Sequence, residues 1–161
     1  MRGGDYHPRM NLHSIAADLR HTVDAAKAKL TALDAKTATH RPAADRWTIA
    51  EVIGHLIDSA ANNHQRFVRG QFVEELVFPK YEQNEWVAAQ HYNDCDWPAL
   101  VELWHRYNHH LAHVIEHVRP QSLSRRCIIG PYAPVTLGFL IEDYAVHLKH
   151  HLGKIEERVG A

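Results

Sequence analysis

Trp47-Thr48-Ile49-Ala50-Glu51-Val52-Ile53-Gly54-His55-Leu56-Ile57-Asp58-Ser59 is the stretch on which the fold turns. Thr48 followed by Glu51 is a capping box. The hydroxyl and the carboxylate can each satisfy a backbone N–H that the first turn of a helix leaves free. Trp47 before the cap and Val52 after it can close a hydrophobic staple. Val52, Ile53, Leu56, Ala60 and Phe67 then recur at helical spacing, which predicts a helix from Thr48 to about Arg69 with Gly70 as its stop. His55 falls at the edge of that apolar stripe, with Asn62 and Arg66 within about 20° on either side at 100° per residue.

Outward from this helix the same periodicity repeats. Leu12, Ile15, Ala16, Leu19, Val23, Ala26, Leu30 and Leu33 predict a helix over 11–33, and a turn-rich stretch with Arg41-Pro42 and Asp45 follows. Glu85 to Gln90 reads as a short helix inside a long connection. Asp96-Trp97-Pro98 opens a third long helix, carried by Leu100, Leu103, Trp104, Tyr107, Leu111, Val114 and Val118 and ended by Pro120. Residues 121–135, with Gly130-Pro131 and Ala133-Pro134, read as an irregular loop or a short hairpin. Thr136 caps a fourth long helix on Leu137, Leu140, Ile141, Tyr144, Leu148, Leu152 and Ile155, running to about Val159. Four long helices without a convincing strand pattern predict an all-α fold, a four-helix bundle with long crossover connections. Residues 1–161 are expected to form a single domain, with 1–10 as a loosely ordered N-terminal segment.

Composition narrows the function. The sequence has 161 residues, and its 18 Lys+Arg against 19 Asp+Glu leave a net charge of −1, without the basic excess of a nucleic-acid binder. No apolar run approaches the roughly 18 residues of a membrane span, and Met1-Arg2-Gly3-Gly4-Asp5-Tyr6-His7-Pro8 lacks the apolar core of a signal peptide. The expectation is a cytoplasmic protein with no membrane or nucleic-acid partner. Cys95 and Cys127 make neither a disulfide framework nor a CxxC pair and read as ordinary buried or half-buried thiols. The four tryptophans, Trp47, Trp86, Trp97 and Trp104, read as core or cap packing. What stands out is the 15 histidines, because histidine is the commonest metal ligand and the acid–base side chain of neutral pH.

Helical phase sorts them. His147 and His151 lie one turn apart on the edge of the core-facing stripe of the last helix, while His150 points to solvent. An i, i+4 pair of this kind can hold two sites of one metal ion, the geometry that HExxH helices use. Asp143, one turn earlier, lies where it could orient His147 by hydrogen bonding. A bundle can bring His55 against this pair, and three neutral imidazoles with one open position are typical of catalytic zinc. Each part also has an ordinary reading: His55 as a core-edge histidine bonded to a backbone carbonyl, Arg66 as a surface or ion-pairing residue. The stripe His105, His109, His113 and His117, with His110 beside it, faces away from the apolar arc of its helix. It reads as a solvated face that would bind metal only adventitiously.

Residues 47–59, Asn63-His64-Gln65-Arg66-Phe67, Tyr81-Glu82-Gln83-Asn84-Glu85-Trp86-Val87 and His147-Leu148-Lys149-His150-His151-Leu152-Gly153-Lys154-Ile155 together resemble the DinB superfamily, particularly its YfiT-like members. The resemblance covers about residues 40–156 in the expected order. It implies a four-helix bundle with unusual long crossovers and a metal triad on His55, His147 and His151, the three that phase selects independently. It implies one divalent ion, zinc first, with nickel, iron or copper as alternatives. Family members of known activity are similar to thiol-dependent S-transferases, and others are described as metal-dependent hydrolases on site geometry. The expectation is therefore a metal-dependent enzyme that activates a low-molecular-weight thiol for attack on a small electrophile. Alternatives are a hydrolase activating water, for which Asp143 and Asp58 are the carboxylates to inspect, and a non-catalytic stress-response dimerisation or binding module. A homodimer is the expected assembly.

Overall fold

The computed structural model describes residues 10–160, so the expectation for 1–10 lies outside the described residues except at Met10, which packs against the core. Four long helices form the bundle: α1 (Leu12–Thr31), α3 (Ile49–Arg69), α5 (Trp97–Glu116) and α6 (Leu137–Val159). Two short helices, α2 (Ala35–Thr39) and α4 (Gln83–Gln90), lie in the connections. The helix starts follow their side chains. Asn11, Thr48, Asp96 and Thr136 each accept a hydrogen bond from a backbone N–H of the first turn, and Pro98 sits where no N–H is needed.

α1 packs on α5 and α6, and α3 packs on the same two helices, so α1 lies diagonally across from α3 and α5 from α6. Consecutive long helices are therefore neighbours only at α3–α5, and the other two steps cross the bundle. Leu19, Val23, Ile53, Leu56, Phe67, Trp104, Leu111, Ile115, Ile141 and Leu148 fill its centre. Burying each such side chain is worth about 1.5–3 kcal/mol, which is what holds the four helices together. Along the α1–α5 seam the apolar contact is edged by charge: Arg20 and His13 pair with Glu116, Lys27 with Glu102, and Asp24 with His105 and His109.

The long connections contain more structure than their sequence suggests. Residues 34–39, expected as part of a turn-rich stretch, include α2, which Asp34 caps by accepting from the Thr37 N–H. The bundle is joined by a small sheet, of which the sequence suggested only the hairpin at 121–135. β1 (Glu75–Phe78), β2 (Arg126–Ile129) and β3 (Val135–Thr136) form a sheet in the order β1-β2-β3. β2 and β3 are the antiparallel hairpin that residues 121–135 allowed, turning at Gly130 with φ 54°. β1 pairs parallel to β2, Leu76 opposite Cys127 and Phe78 opposite Ile129. Strands of two to four residues carry too little alternation to stand out, and a parallel pair is joined only by a distant crossover, here α4 and α5. Because α3 runs into β1 and β3 runs into α6, the sheet sits at the bundle end where α3 finishes and α6 begins.

Some side chains sit elsewhere than their helical phase predicts. On α5 the buried arc is Trp97, Leu100, Val101, Trp104, Asn108, Leu111, Ala112 and Ile115, while Leu103 is 53% exposed. The arc is rotated towards α1, which carries His105 and His109 into the α1–α5 seam rather than out to solvent. Trp86 is 40% exposed and packs against the tilted Tyr81 ring, centroids 5.0 Å apart, rather than entering the core, and Cys95 is exposed while Cys127 is buried. Among the described residues no helix is long and apolar enough to cross a membrane.

Candidate metal centre

The capping box fixes where α3 begins, and so where His55 points. Thr48 Oγ accepts from the Glu51 N–H at 3.1 Å and the Glu51 carboxylate accepts from the Thr48 N–H at 2.8 Å. Glu51 also accepts from Arg41 and from Asn93, while Thr48 Oγ donates to Asn93 Oδ1, so the cap is itself anchored to two loops. Two turns into the helix His55 is fully buried, its ring 4.9 Å from that of Trp47.

α6 brings its histidine pair to the same place. His147 Nε2 lies 3.2 Å from His55 Nε2 and 3.1 Å from His151 Nε2. All three nitrogens lie within 4.8 Å of one another. One ring nitrogen carries either a single N–H or a single in-plane lone pair, so His147 Nε2 can satisfy one of these two neighbours but not both. Three imidazole nitrogens aimed at one small volume could hold a divalent ion, and their chemistry fits one. Their protonation state fits as well. Burial, then the charges of His151 and His147, lowers His55 from 6.5 to about 3. Burial, then His147, His150 and Arg158, lowers His151 to about 4. Burial also lowers His147, against the opposing pull of Asp143. All three are neutral at pH 7, the form that ligates a metal.

The two carboxylates singled out from the sequence take different places. Asp143 is exposed, one turn before His147 and near enough for its charge to be felt there. Among the described residues it makes no hydrogen bond to the imidazole. Asp58 is buried and its Oδ1 accepts from Tyr92 OH at 2.6 Å and from Gln90 Nε2 at 2.7 Å. It fastens the α4 end of the long connection onto α3 and hydrogen-bonds to no histidine among the described residues. Burial pushes its pKa up while those two donors pull it down.

A cavity of about 320 Å³ reaches the triad at His147, with Asp143, Tyr144, Arg66, Lys80 and Tyr81 also in its wall. Arg66 is the residue that sequence reasoning misplaced. It is 9% exposed and has no carboxylate within ion-pair distance among the described residues. Helical phase put it at the rim of the α3 stripe, but phase counts only partners in the bundle. β1 and α4 lie over that side of α3, and the guanidinium stacks 5.3 Å above the Phe78 ring. The histidine stripe of α5 is likewise less solvated than expected. His105 and His109 both direct Nε2 at Asp24 Oδ1, at 2.6 and 2.7 Å, and these hydrogen bonds hold the Asp24 pKa down. This second His–His–Asp group lies on the α1–α5 seam, outside the cavity wall. His110, His113 and His117 are exposed, as expected.

Comparison with known proteins agrees with this architecture. Residues 18–155 match the family model of the DinB superfamily. A protein of Oceanobacillus iheyensis, described by inference as a metal-dependent hydrolase, is 29% identical over 114 residues, 68% of this chain. The match spans 63% of that protein's length. Among solved structures, YfiT from Bacillus subtilis, described as a probable metal-dependent hydrolase with an unusual four-helix bundle topology, superposes with a TM-score of 0.78 at 19% identity. That superposition covers 98% of this chain and 95% of YfiT. A mycothiol-dependent maleylpyruvate isomerase superposes with a TM-score of 0.71 at 14% identity, over 89% of this chain and 60% of the isomerase. At these identities the two structures show a shared fold.

Proposed function

The chain belongs to the DinB superfamily, and from that premise and the geometry above we propose that it is a divalent-metal-dependent enzyme whose ion is held by His55, His147 and His151. The observation that carries this reading is the convergence of three neutral Nε2 atoms, 3.1–3.2 Å apart about His147, at the wall of a cavity. Zinc is the first candidate, and nickel, iron and copper suit the same ligands.

The reaction we favour is transfer of a low-molecular-weight thiol to a small electrophile. A divalent ion, when bound, supplies the charge that lowers the pKa of a thiol, or of water in the hydrolytic alternative. The protein's own part is to keep three imidazoles neutral by burial, to leave a cavity on one side of them, and to wall the other side with Trp47. Thiol transfer needs no protein base once the thiol is ionised, and this site offers no well-placed one. Asp58 is occupied by Tyr92 and Gln90, and Asp143 stands exposed. A metal-dependent thiol transferase in structural company with a thiol-dependent isomerase is a consistent reading. Hydrolysis is the second reading, and one feature favours it: Asp143 shares the cavity wall with His147, where a carboxylate could take a proton from water.

The two reactions separate in one experiment. Metal-loaded protein is incubated with epoxide and alkyl-halide electrophiles, with and without a panel of small thiols, and with ester and amide substrates alone. Turnover that requires both thiol and metal supports S-transfer. Turnover of an ester or amide without thiol, lost in Asp143→Asn, supports hydrolysis. Absence of turnover in every arm from a protein that holds metal stoichiometrically points instead to a binding module.

A further inference from the structure

A guanidinium is charged at every physiological pH, and taking one out of water is costly unless a partner replaces its hydration. Arg66 is nine-tenths buried, yet among the described residues its Nε has no hydrogen-bond partner and its one side-chain hydrogen bond, Nη1 to Asn63 Oδ1, is long at 3.4 Å. The neighbouring Phe78 ring offers only its face. The guanidinium belongs to the wall of the cavity that His147 also lines, so Arg66 and one member of the triad face the same space. The other groups there do not neutralise it. Lys80 is a second cation, already paired with Glu82 at 2.7 Å. Tyr81 is kept neutral, its pKa raised to about 12, first by burial and then by Asp58, so it brings no negative charge to the guanidinium. Asp143 is the one carboxylate in the wall among the described residues, exposed and not within ion-pair distance of the guanidinium.

We infer that Arg66 is the anion-recognising residue of this cavity: the small molecule brought to the triad carries an oxyanion, a carboxylate or a phosphate, bound by the Arg66 guanidinium. This rests on the reading of the three histidines as a metal centre and of the cavity as its substrate side. The planar fork of donors on arginine matches two oxygens of such a group at once, which a lysine at the same place would not. The buried position sets the strength, since a charge-assisted hydrogen bond shielded from water discriminates more than one at the surface. A carboxylate-bearing thiol or electrophile would thereby be selected over an uncharged one of the same size.

The test compares two thiols that differ in this one group, mercaptoacetate and mercaptoethanol, on cobalt(II)-loaded protein, where thiolate binding is read from the sulfur-to-cobalt absorption band. Wild type is expected to bind mercaptoacetate about tenfold or more tighter than mercaptoethanol. Arg66→Gln is expected to erase that preference while leaving mercaptoethanol unchanged, and Arg66→Lys to keep only part of it. Equal affinity for the two thiols in wild type, or a preference intact in Arg66→Gln, overturns the inference. Calorimetric titration of metal-free protein with acetate and with inorganic phosphate identifies the oxyanion as the one whose binding Arg66→Gln weakens. If neither thiol perturbs the cobalt spectrum yet an oxyanion still binds in an Arg66-dependent way, the metal reading fails and the anion site stands. Should Arg66→Gln not fold, Asp143→Asn supplies an independent arm. Removing the opposing charge tightens mercaptoacetate binding several-fold, and an affinity that does not move overturns the inference.

Discussion

His55 Nε2 on α3 and His147 Nε2 on α6 stand 3.2 Å apart, although 92 residues of chain separate them. Two ring nitrogens at this distance, with His151 Nε2 another 3.1 Å from the second, share more lone pairs and protons than hydrogen bonding alone can reconcile. A single divalent ion would take all three lone pairs. Protein purified without a histidine tag is therefore expected to carry one ion per chain, measurable by elemental analysis, and His147→Ala to lower zinc affinity by roughly a hundredfold or more. The Asp24, His105 and His109 group is the internal control. A tightly held ion that persists in the His55, His147, His151 triple alanine variant and disappears in His105→Ala/His109→Ala would place the metal on the wrong seam.

Acid should destabilise the metal-free protein through the same three side chains. In the unfolded chain each histidine titrates near 6.5, whereas the folded state holds His55 at about 3 and His151 at about 4, with His147 lowered too. Between those limits only the unfolded state takes up the protons, so stability is full above about pH 6.5 and is lost as the pH falls towards 3. His64, lowered by burial, acts in the same direction. Glu116 acts lower: its hydrogen bonds to Arg20 and His13 hold it at about 2 in the folded state, so its contribution is full above the ordinary 4.5 and is lost as the pH falls from there towards 2. Melting temperature in the presence of a chelator is expected to fall steadily from pH 6.5 to 4.5 in wild type. The fall should be shallower in His55→Leu. Identical slopes in the two proteins would show that the triad is not neutral when folded.

The sequence made the helices and the triad legible, and the reason is local. Caps and apolar spacing are written within one turn, and His55, His147 and His151 each sit at a stripe edge that a helical wheel can locate. What it hid depends on contacts between distant segments. The parallel pairing of Leu76 with Cys127 leaves no trace in either strand, since each is four residues long. The burial of Arg66 follows from β1 and α4 lying over α3, which a wheel drawn for the bundle alone leaves out. Hydropathy puts His105 and His109 in solvent because it counts Leu103, Tyr107 and Val114 in the apolar arc and so centres that arc near Leu100 and Tyr107. The arc turns instead on Asn108, a fully buried polar residue that a hydropathy pattern scores as exposed.

Asn108 explains itself through its partners. Its Nδ2 donates to the Trp104 carbonyl one turn earlier, and its Oδ1 accepts from the Tyr144 hydroxyl of α6 across the bundle diagonal. Both residues are sealed from solvent, so no water replaces a partner that is removed. Tyr144→Phe strands the Asn108 oxygen and should cost about 1–3 kcal/mol of stability by denaturant unfolding, even though it deletes a single atom. The double variant Tyr144→Phe/Asn108→Leu should recover part of that loss, because the stranded acceptor is then gone. A double variant that is worse than the sum of its parts would mean that packing, rather than the hydrogen bond, sets the cost.

Gly54 is the other position where a small change should travel to the site. A Cβ built on it would lie 2.1 Å from Tyr92 Cδ2, so the Tyr92 ring packs directly on the α3 backbone and tolerates no side chain there. The same ring places its hydroxyl on Asp58, which also receives Gln90, and these bonds hold the α4 end of the connection against the helix that carries His55. In a solvated helix Gly→Ala gains about 1 kcal/mol from propensity. Here the ring must move, so the net effect should be a loss of about 1–3 kcal/mol. The displaced Tyr92 also strips a donor from the buried Asp58 carboxylate, so the α4 connection should exchange its amide hydrogens faster than in wild type. Stabilisation by Gly54→Ala, or unchanged exchange over residues 83–94, would show that the connection is not pinned to α3 through this contact.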